Sequence, residues 1–323
     1  MPDLDTIARE PLAILPTPLH AAPRLSAALG IDVWFKRDDL TGLGLGGNKV
    51  RPLEFLLGDA LARGCDVLVT GSGAQSNWSM LAALTAQRCG LDAVVCFYGD
   101  CPDEARGNLA LQALAGADLR WTGRPERASV DTMINQVAEE LLAQGRQPFV
   151  VPRGGANPRG SLGYLVAAQE IHHQALSAGI PEPTLWLATG SCGTQGGLVA
   201  GVASGWLPRV VGVSVSRPAD ECRERVLELA TGAAALLDAT APRPDMVEIV
   251  DGFVGPGYGY ASFEGRAAAA LVASTEALFL DPPFGAKAMA GLIAASRDGT
   301  IEGPVVFLVS GGAPNLFVQD GPL

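Results

Sequence analysis

Residues 184–197 read TLWLATGSCGTQGG. The run Thr184–Ala188 has the length and apolar content of a buried strand, and the glycine-rich Gly190–Gly197 then opens a helix. The same order of strand, small-residue loop and helix recurs at Asp66–Asn77 (DVLVTGSGAQSN), and Val305–Gly312 (VVFLVSGG) ends a strand on a shorter loop. Further strands are predicted at Ile31–Lys36, Ala93–Tyr98, Pro148–Val151, Val210–Val215 and Met246–Val250. Helical apolar spacing fills Lys49–Arg63, Asn77–Cys89 and Glu104–Ala115, and the alanine-rich Ala267–Ala273 reads as a packed helix. Short apolar strands alternating with helices imply parallel βαβ units in an α/β fold, with mostly parallel open sheets covered by helices. Ligands of such sheets bind in the loops after the strands.

The chain has 323 residues, 48% of them hydrophobic and 18% charged, enough for two domains. Pro152–Arg159 (PRGGANPR) has the composition of a boundary. We expect a small domain over 51–157 and a large cofactor-binding domain over 1–50 plus 158–323, with the ligand in the cleft between them. The net charge of −11 disfavours nucleic-acid partners. No apolar run reaches the roughly 18 residues of a membrane span. The acidic start MPDLDTIARE lacks a signal-peptide layout, so a cytoplasmic protein is expected. Six cysteines without a C-x-x-C pair read as reduced core thiols, and three histidines without ligand spacing predict no metal site.

Three loops could carry chemistry. In DDLTGLGLGGNK (Asp38–Lys49), Gly42, Gly44 and Gly47 match G-x-G-x-x-G by spacing, which would suit a nucleotide-dependent oxidoreductase. No acidic residue ends a second strand about 20 positions on, as ribose recognition needs. Lys49 closes that loop. An ordinary lysine, with a pKa of about 10.4, is a poor nucleophile. In a dry pocket its ammonium form is disfavoured and its amine can attack an aldehyde; the bland alternative is a solvated helix-end lysine. In GSCGTQGG, small residues let successive N–H groups converge on an anion at a helix N-terminus, with hydroxyls from Ser191 and Thr194. A glycine-rich turn that binds nothing is the competing reading. Cys192 has no nearby histidine to activate it and reads as a small filler. In GSGAQSN, Ser76 could hold a carboxylate or simply cap the helix, and Asn77 could donate to a phenolate-like oxygen.

Taken together, GGNKVRPLEFLL, GSGAQSN, ATGSCGTQGGL, GPGYG (Gly255–Gly259), LDPPFGAKAM (Leu280–Met289) and SGGAPNLF (Ser310–Phe317) resemble, in order, the D-cysteine desulfhydrase and 1-aminocyclopropane-1-carboxylate deaminase family of tryptophan-synthase-β-like pyridoxal-phosphate enzymes. The resemblance spans about 15–317. It implies that Lys49 is the Schiff-base lysine, that Asn77 bonds the cofactor's ring hydroxyl, and that Gly190, Ser191, Cys192, Gly193, Thr194 and Gly196 hold its phosphate. It further implies that Ser76 touches the substrate carboxylate or assists proton transfer, that Tyr258 sits over the cofactor as an acid-base or stacking group, and that Ser310 faces the pyridine nitrogen. The implied activity is α-proton removal from a small amino acid and loss of a β-substituent, releasing ammonia and a keto acid; the apolar content separately leads us to expect a homodimer.

Departures bear on the substrate. The ring deaminases carry Tyr-Glu where Phe284-Gly285 stand, so the hydroxyl and the carboxylate that deepens the electron sink are gone, and ring opening is disfavoured. The desulfhydrases carry a histidine at Trp78 and a lysine at Pro52. Trp78 either reshapes the substrate pocket or packs in the core. Racemisation, β-replacement, elimination of sulfite or hydroxide, and a non-catalytic metabolite-binding role remain as alternatives.

Overall fold

The computed structural model describes residues 6–318. Met1–Asp5 and Gln319–Leu323 lie outside the described residues; they are the ends of the expected large domain and half of the acidic amino-terminal stretch. Strands β1 (Leu19–Ala21), β2 (Val33–Arg37), β7 (Thr184–Thr189), β8 (Arg209–Ser214), β9 (Glu248–Val250) and β10 (Val305–Val309) form one sheet in the order β1-β2-β10-β7-β8-β9. Only the edge strand β1 is antiparallel. Strands β3 (Val67–Ser72), β4 (Asp92–Phe97), β5 (Asp118–Trp121) and β6 (Pro148–Val150) form a second, all-parallel sheet in the order β5-β4-β3-β6.

The helices are α1 (Pro23–Leu29), α2 (Val50–Ala62), α3 (Asn77–Arg88), α4 (Gly107–Leu114), α5 (Ser129–Ala143), α6 (Pro158–Ala178), α7 (Gly193–Ala203), α8 (Ala219–Ala235), α9 (Phe263–Glu276) and α10 (Gly285–Arg297). They cover both faces of each sheet, and the alternation along the strands shows why. In β10, Val305, Phe307 and Val309 join Met289 and Leu292 of α10 in one core, while Val306 and Leu308 join Tyr164 of α6 and Leu198 of α7 in another. In β3, Leu68 packs with α2 and α3, and Val67 and Val69 with α5. Side chains two apart share a face, so a strand covered on both faces reads as an unbroken apolar run.

Helix α7 is seated by its small residues. A Cβ on Gly197 would lie 2.1 Å from the Ser161 carbonyl oxygen of α6, so only glycine allows this approach. Helix α2 is tied down by buried charge. The Arg51 guanidinium reaches both oxygens of Asp38 at 2.8 Å and both of Glu170 at 2.9 and 3.1 Å. Tyr164 Oη and Thr17 Oγ1 donate to Asp38 at 2.6 and 2.7 Å, and Lys36 pairs with Glu170. Burial pushes Asp38 up, but Arg51 and Tyr164 outweigh it and hold the carboxyl below its ordinary value.

Several boundaries differ from expectation for local reasons. Gly30 ends α1 in a left-handed conformation (φ 71°), so Ile31 and Asp32 are turn and β2 begins at Val33. Pro244–Met246 is a 3-10 turn, which shortens the strand expected from Met246. Arg106 pairs with Glu104 in a loop, and the helix expected from Glu104 starts at Gly107. Strand β2 and strand β3 lie in different sheets, so the glycine loop between them opens no βαβ unit of one sheet. That removes the context a dinucleotide fingerprint requires.

Candidate active site

The carboxyl ends of β3, β7 and β10 open on one cavity of about 840 Å³, part of it open to solvent. Lys49, Ser76, Asn77, Trp78, Gly190, Ser191, Tyr258, Phe284 and Ser310 all line it. A recess continues beneath Trp78, sharing Lys49, Gly154 and Ser191 and reaching Gly193 and Thr194.

Lys49 stands directly before α2 in helical geometry (φ −75°, ψ −14°). Its amine has no hydrogen-bond partner among the described residues. Burial lowers its pKa to about 8, against the opposing pull of Cys192 and Asp281. A usable fraction of neutral amine therefore exists near pH 7.

The loop after β7 turns into α7 through Cys192, which adopts the left-handed φ of 72°. The first bond inside α7 runs from the Gly196 N–H to the Cys192 carbonyl at 2.8 Å. The N–H groups of Gly193, Thr194 and Gln195 thus precede the helical ladder, at a helix end whose dipole favours an anion. The Gly196 amide is spent within the helix, and a Cβ there would meet Leu229 of α8 at 2.9 Å, so this glycine packs α7 against α8. Cys192 is buried outside the cavity, and the neighbouring Cys222 thiol and burial raise its pKa well above the ordinary range. It fills space behind the loop.

Ser76 performs the capping role: its Oγ accepts from the N–H groups of Trp78 and Ser79 at 3.2 and 3.5 Å. Its hydroxyl proton remains free for the cavity. Trp78 is 3% exposed, and its Nε1 donates to Thr70 Oγ1 at 2.9 Å, so the indole is at once core packing and cavity wall. Asn77 Oδ1 accepts from Asn108 Nδ2 at 2.7 Å and from Asn315 Nδ2 at 3.1 Å. Tyr258, between two glycines of the loop after β9, packs edge-on to Phe284 with ring centroids 5.8 Å apart. Burial raises its pKa. Ser310 joins the amino end of α2 to β10, its carbonyl accepting from the Asn48 N–H at 2.9 Å.

The cavity also holds residues that the sequence did not single out. Tyr98, Arg127, Arg153, Ser216 and Arg217 line it. Asp281 lies behind it, close to Gly312, with Oδ1 accepting from the Gly285 N–H at 2.8 Å and Oδ2 unpartnered among the described residues. Burial pushes its pKa up to about 7. Asp281 falls inside the motif LDPPFGAKAM, but no spacing rule connects it to Asn77.

The family model for pyridoxal-phosphate-dependent enzymes matches residues 11–311. The chain belongs to this family. A putative 1-aminocyclopropane-1-carboxylate deaminase of Pyrococcus abyssi is 38% identical over 304 residues, 93% of this chain and 90% of that one. A D-cysteine desulfhydrase of Yersinia pestis is 38% identical over 310 residues, 93% and 92%. A crystal structure of an ACC deaminase homologue superposes with a TM-score of 0.89 at 35% identity, covering 97% of this chain and 94% of that one. The fold extends to threonine deaminase isoform 2 from Solanum lycopersicum, with a TM-score of 0.67 at 18% identity and coverage of 93% and 80%. Pyridoxal phosphate is accordingly this family member's cofactor, and the residues present suit it. The site offers an unpartnered amine of lowered pKa, three N–H groups ahead of a helix ladder for a phosphate, and an Asn77 amide whose Nδ2 has no partner among the described residues.

Proposed function

We propose that the protein is a lyase that removes the α-proton of a small amino acid and expels a β-substituent, in the manner of a D-cysteine desulfhydrase, releasing ammonia and a keto acid. The observation that carries this reading is the placement of Lys49 on one cavity with Asn77 and the first turn of α7. Bound pyridoxal phosphate supplies the electron sink for the pair left at Cα.

The chain's own residues have separate tasks. Gly193, Thr194 and Gln195 N–H groups, with the Ser191 and Thr194 hydroxyls, hold the phosphate. Asn77 Nδ2 donates to the ring hydroxyl and Ser310 meets the ring nitrogen. Ser76 and the amino end of α3 hold the substrate carboxylate. The Lys49 amine, facing the cavity, would be the base that takes the α-proton. Tyr258 and Phe284 close one side and exclude water. Trp78 walls the other and limits the side chain that fits.

Ring opening of 1-aminocyclopropane-1-carboxylate is a second reading, favoured by the name of the Pyrococcus relative. Phe284 and Gly285 offer neither the hydroxyl nor the carboxylate that the resembled deaminases carry there, which supports elimination. We further propose a cytoplasmic homodimer whose two sheets mark its domains, 51–157 and 1–50 with 158–323; exposed Phe263 and Phe279 support self-association. No helix of the described residues is long and apolar enough to cross a membrane.

The test is a screen of the purified holoenzyme against D- and L-amino acids and the cyclopropane substrate, following keto acid and ammonia. Keto acid from a β-substituted amino acid, lost in Lys49→Ala together with the cofactor chromophore, is expected. Turnover retained by Lys49→Ala would overturn the reading.

A further inference from the structure

We propose that Asp281 is a positioning residue that takes up a proton when pyridoxal phosphate binds, so that cofactor affinity is tied to the neutral form of its carboxyl. The inference rests on the placement of the cofactor at Lys49 and Asn77 given above, and not on which substituent leaves the substrate.

Gly312 brings the groups together. It adopts a left-handed φ of 100°, and a Cβ there would lie 2.6 Å from Asn77 Nδ2 and 3.0 Å from Asp281 Cγ. Only a residue without a side chain fits between this amide and this carboxyl. Asp281 is 2% exposed. Its Oδ1 accepts from the Gly285 N–H at 2.8 Å, while Oδ2 is buried with no partner among the described residues. An anion with one oxygen left unsolvated is costly in such a place. The charged groups that act on it are two lysines. Lys287 of α10 directs its ammonium to the Val254 and Gly257 carbonyls at 2.6 and 2.9 Å. Lys49, ahead of α2, is the other, and a charge on Asp281 favours its ammonium form.

The cofactor changes this balance. Its phenolate-like ring oxygen, met by Asn77 Nδ2, is an anion brought to the same gap at Gly312. Two like charges in a water-poor site are poorly screened and oppose each other. Before the cofactor binds, Lys49 offers its positive charge to Asp281. The ring oxygen takes over that counter-charge, and Asp281 keeps Lys287 and a free oxygen. A proton on Oδ2 removes the conflict. Burial has already brought this carboxyl to a pKa of about 7, so a modest further push holds the proton through the neutral range.

Joining Lys49 to the cofactor neither consumes nor releases a proton. Nζ forms a bond to the aldehyde carbon. Two of the ammonium hydrogens leave with the aldehyde oxygen as water, and the third stays on nitrogen. The proton taken up is therefore assigned to Asp281.

The test equilibrates holoenzyme of wild type and of Asp281→Asn against pyridoxal phosphate by dialysis between pH 6 and 9. The amide of the variant keeps an oxygen for the Gly285 N–H and cannot ionise. The wild-type Kd should rise about tenfold or more between pH 7 and 8.5 relative to that of the variant. Calorimetry of binding in two buffers of different ionisation enthalpy should count about one proton more for wild type at pH 8. If the variant does not fold, wild type serves alone: its infrared difference spectrum on adding cofactor at pH 8 should gain the carbonyl band of a protonated carboxyl. Parallel Kd curves, as a purely structural Asp281 would give, equal proton counts, or the absence of that band would overturn the inference while leaving the lyase reading standing. Lys49→Ala that held the cofactor as tightly as wild type would sink the placement at Lys49, and this inference with it.

Discussion

Asn108 Nδ2 donates to Asn77 Oδ1 at 2.7 Å, and this bond, with that from Asn315, decides which end of the Asn77 amide faces the cavity. With Oδ1 occupied twice, Nδ2 is the end left to donate.

Removing one of the two donors should loosen that orientation. In Asn108→Ala, cofactor affinity is expected to fall about 5- to 30-fold, from a net loss of about 1–2 kcal/mol. Equilibrium dialysis of pyridoxal phosphate against apo-protein measures it. An affinity equal to wild type would show that Asn77 keeps its orientation without Asn108.

The lowered pKa of Lys49 sets a pH course for cofactor capture. With half-deprotonation near pH 8, the rate of reconstitution of apo-protein should climb about tenfold between pH 7 and 9 and then level off, whereas an ordinary lysine would keep accelerating beyond pH 10. Stopped-flow absorbance follows this. The sign for stability runs the same way: between about pH 8 and 10.5 the unfolded chain keeps a proton that the folded chain has lost, so apo-protein stability rises with pH. Lys49→Met should lack that part of the rise.

Asp281 has the opposite displacement. Its folded pKa of about 7 exceeds the unfolded value near 3.8, so the folded state holds a proton that the unfolded state releases in between. Its contribution to stability is full below about pH 4 and is lost as pH rises to 7. Asp281→Asn keeps an oxygen for the Gly285 N–H and removes the titration. Denaturant melts at pH 5 and 8 should show a smaller fall for this variant than for wild type.

Gly155 holds its place against the Trp78 indole. A Cβ there would lie 2.4 Å from the ring, at a φ of 77° that disfavours any side chain. Gly155→Ala should cost about 1–3 kcal/mol and push the indole into the recess, weakening cofactor binding. A melt together with a cofactor titration would detect both; an unchanged titration would place the displaced ring elsewhere.

Arg51 neutralises a fully buried carboxylate. Arg51→Met leaves Asp38 fully buried without its partner and should cost about 3–5 kcal/mol, read by chemical denaturation.

How much of this was legible beforehand follows from where each signal resides. Strands β3, β7 and β10 announce themselves because burial on both faces leaves unbroken apolar runs. Strand β1 has three residues, and β5, DLRW, carries charges that pair with each other and with Glu140 at a sheet edge, so neither has an apolar pattern to read. Lys49, Ser76 and Asn77 sit in loops that small residues mark out. Asn108, Arg127 and Arg217 do not: each reaches the site, or the residues behind it, from a stretch with no local peculiarity, and Asp281, though inside the motif LDPPFGAKAM, has no spacing that ties it to the cavity; only the packing of the two sheets brings them together. The buried group around Arg51 was invisible for the same reason, since Glu170 lies 119 residues from Arg51 along the chain.

The chain leaves the large sheet after β2 and returns to it before β7, and these two passages carry Lys49 on one side and Gly154 to Ala156 on the other. The crossings between the two sheets and the chemistry therefore share the same backbone. A rotation that widened the mouth for an incoming amino acid would be conducted through the stretch that presents the amine, so admission of the ligand and aim of the nucleophile are mechanically one adjustment.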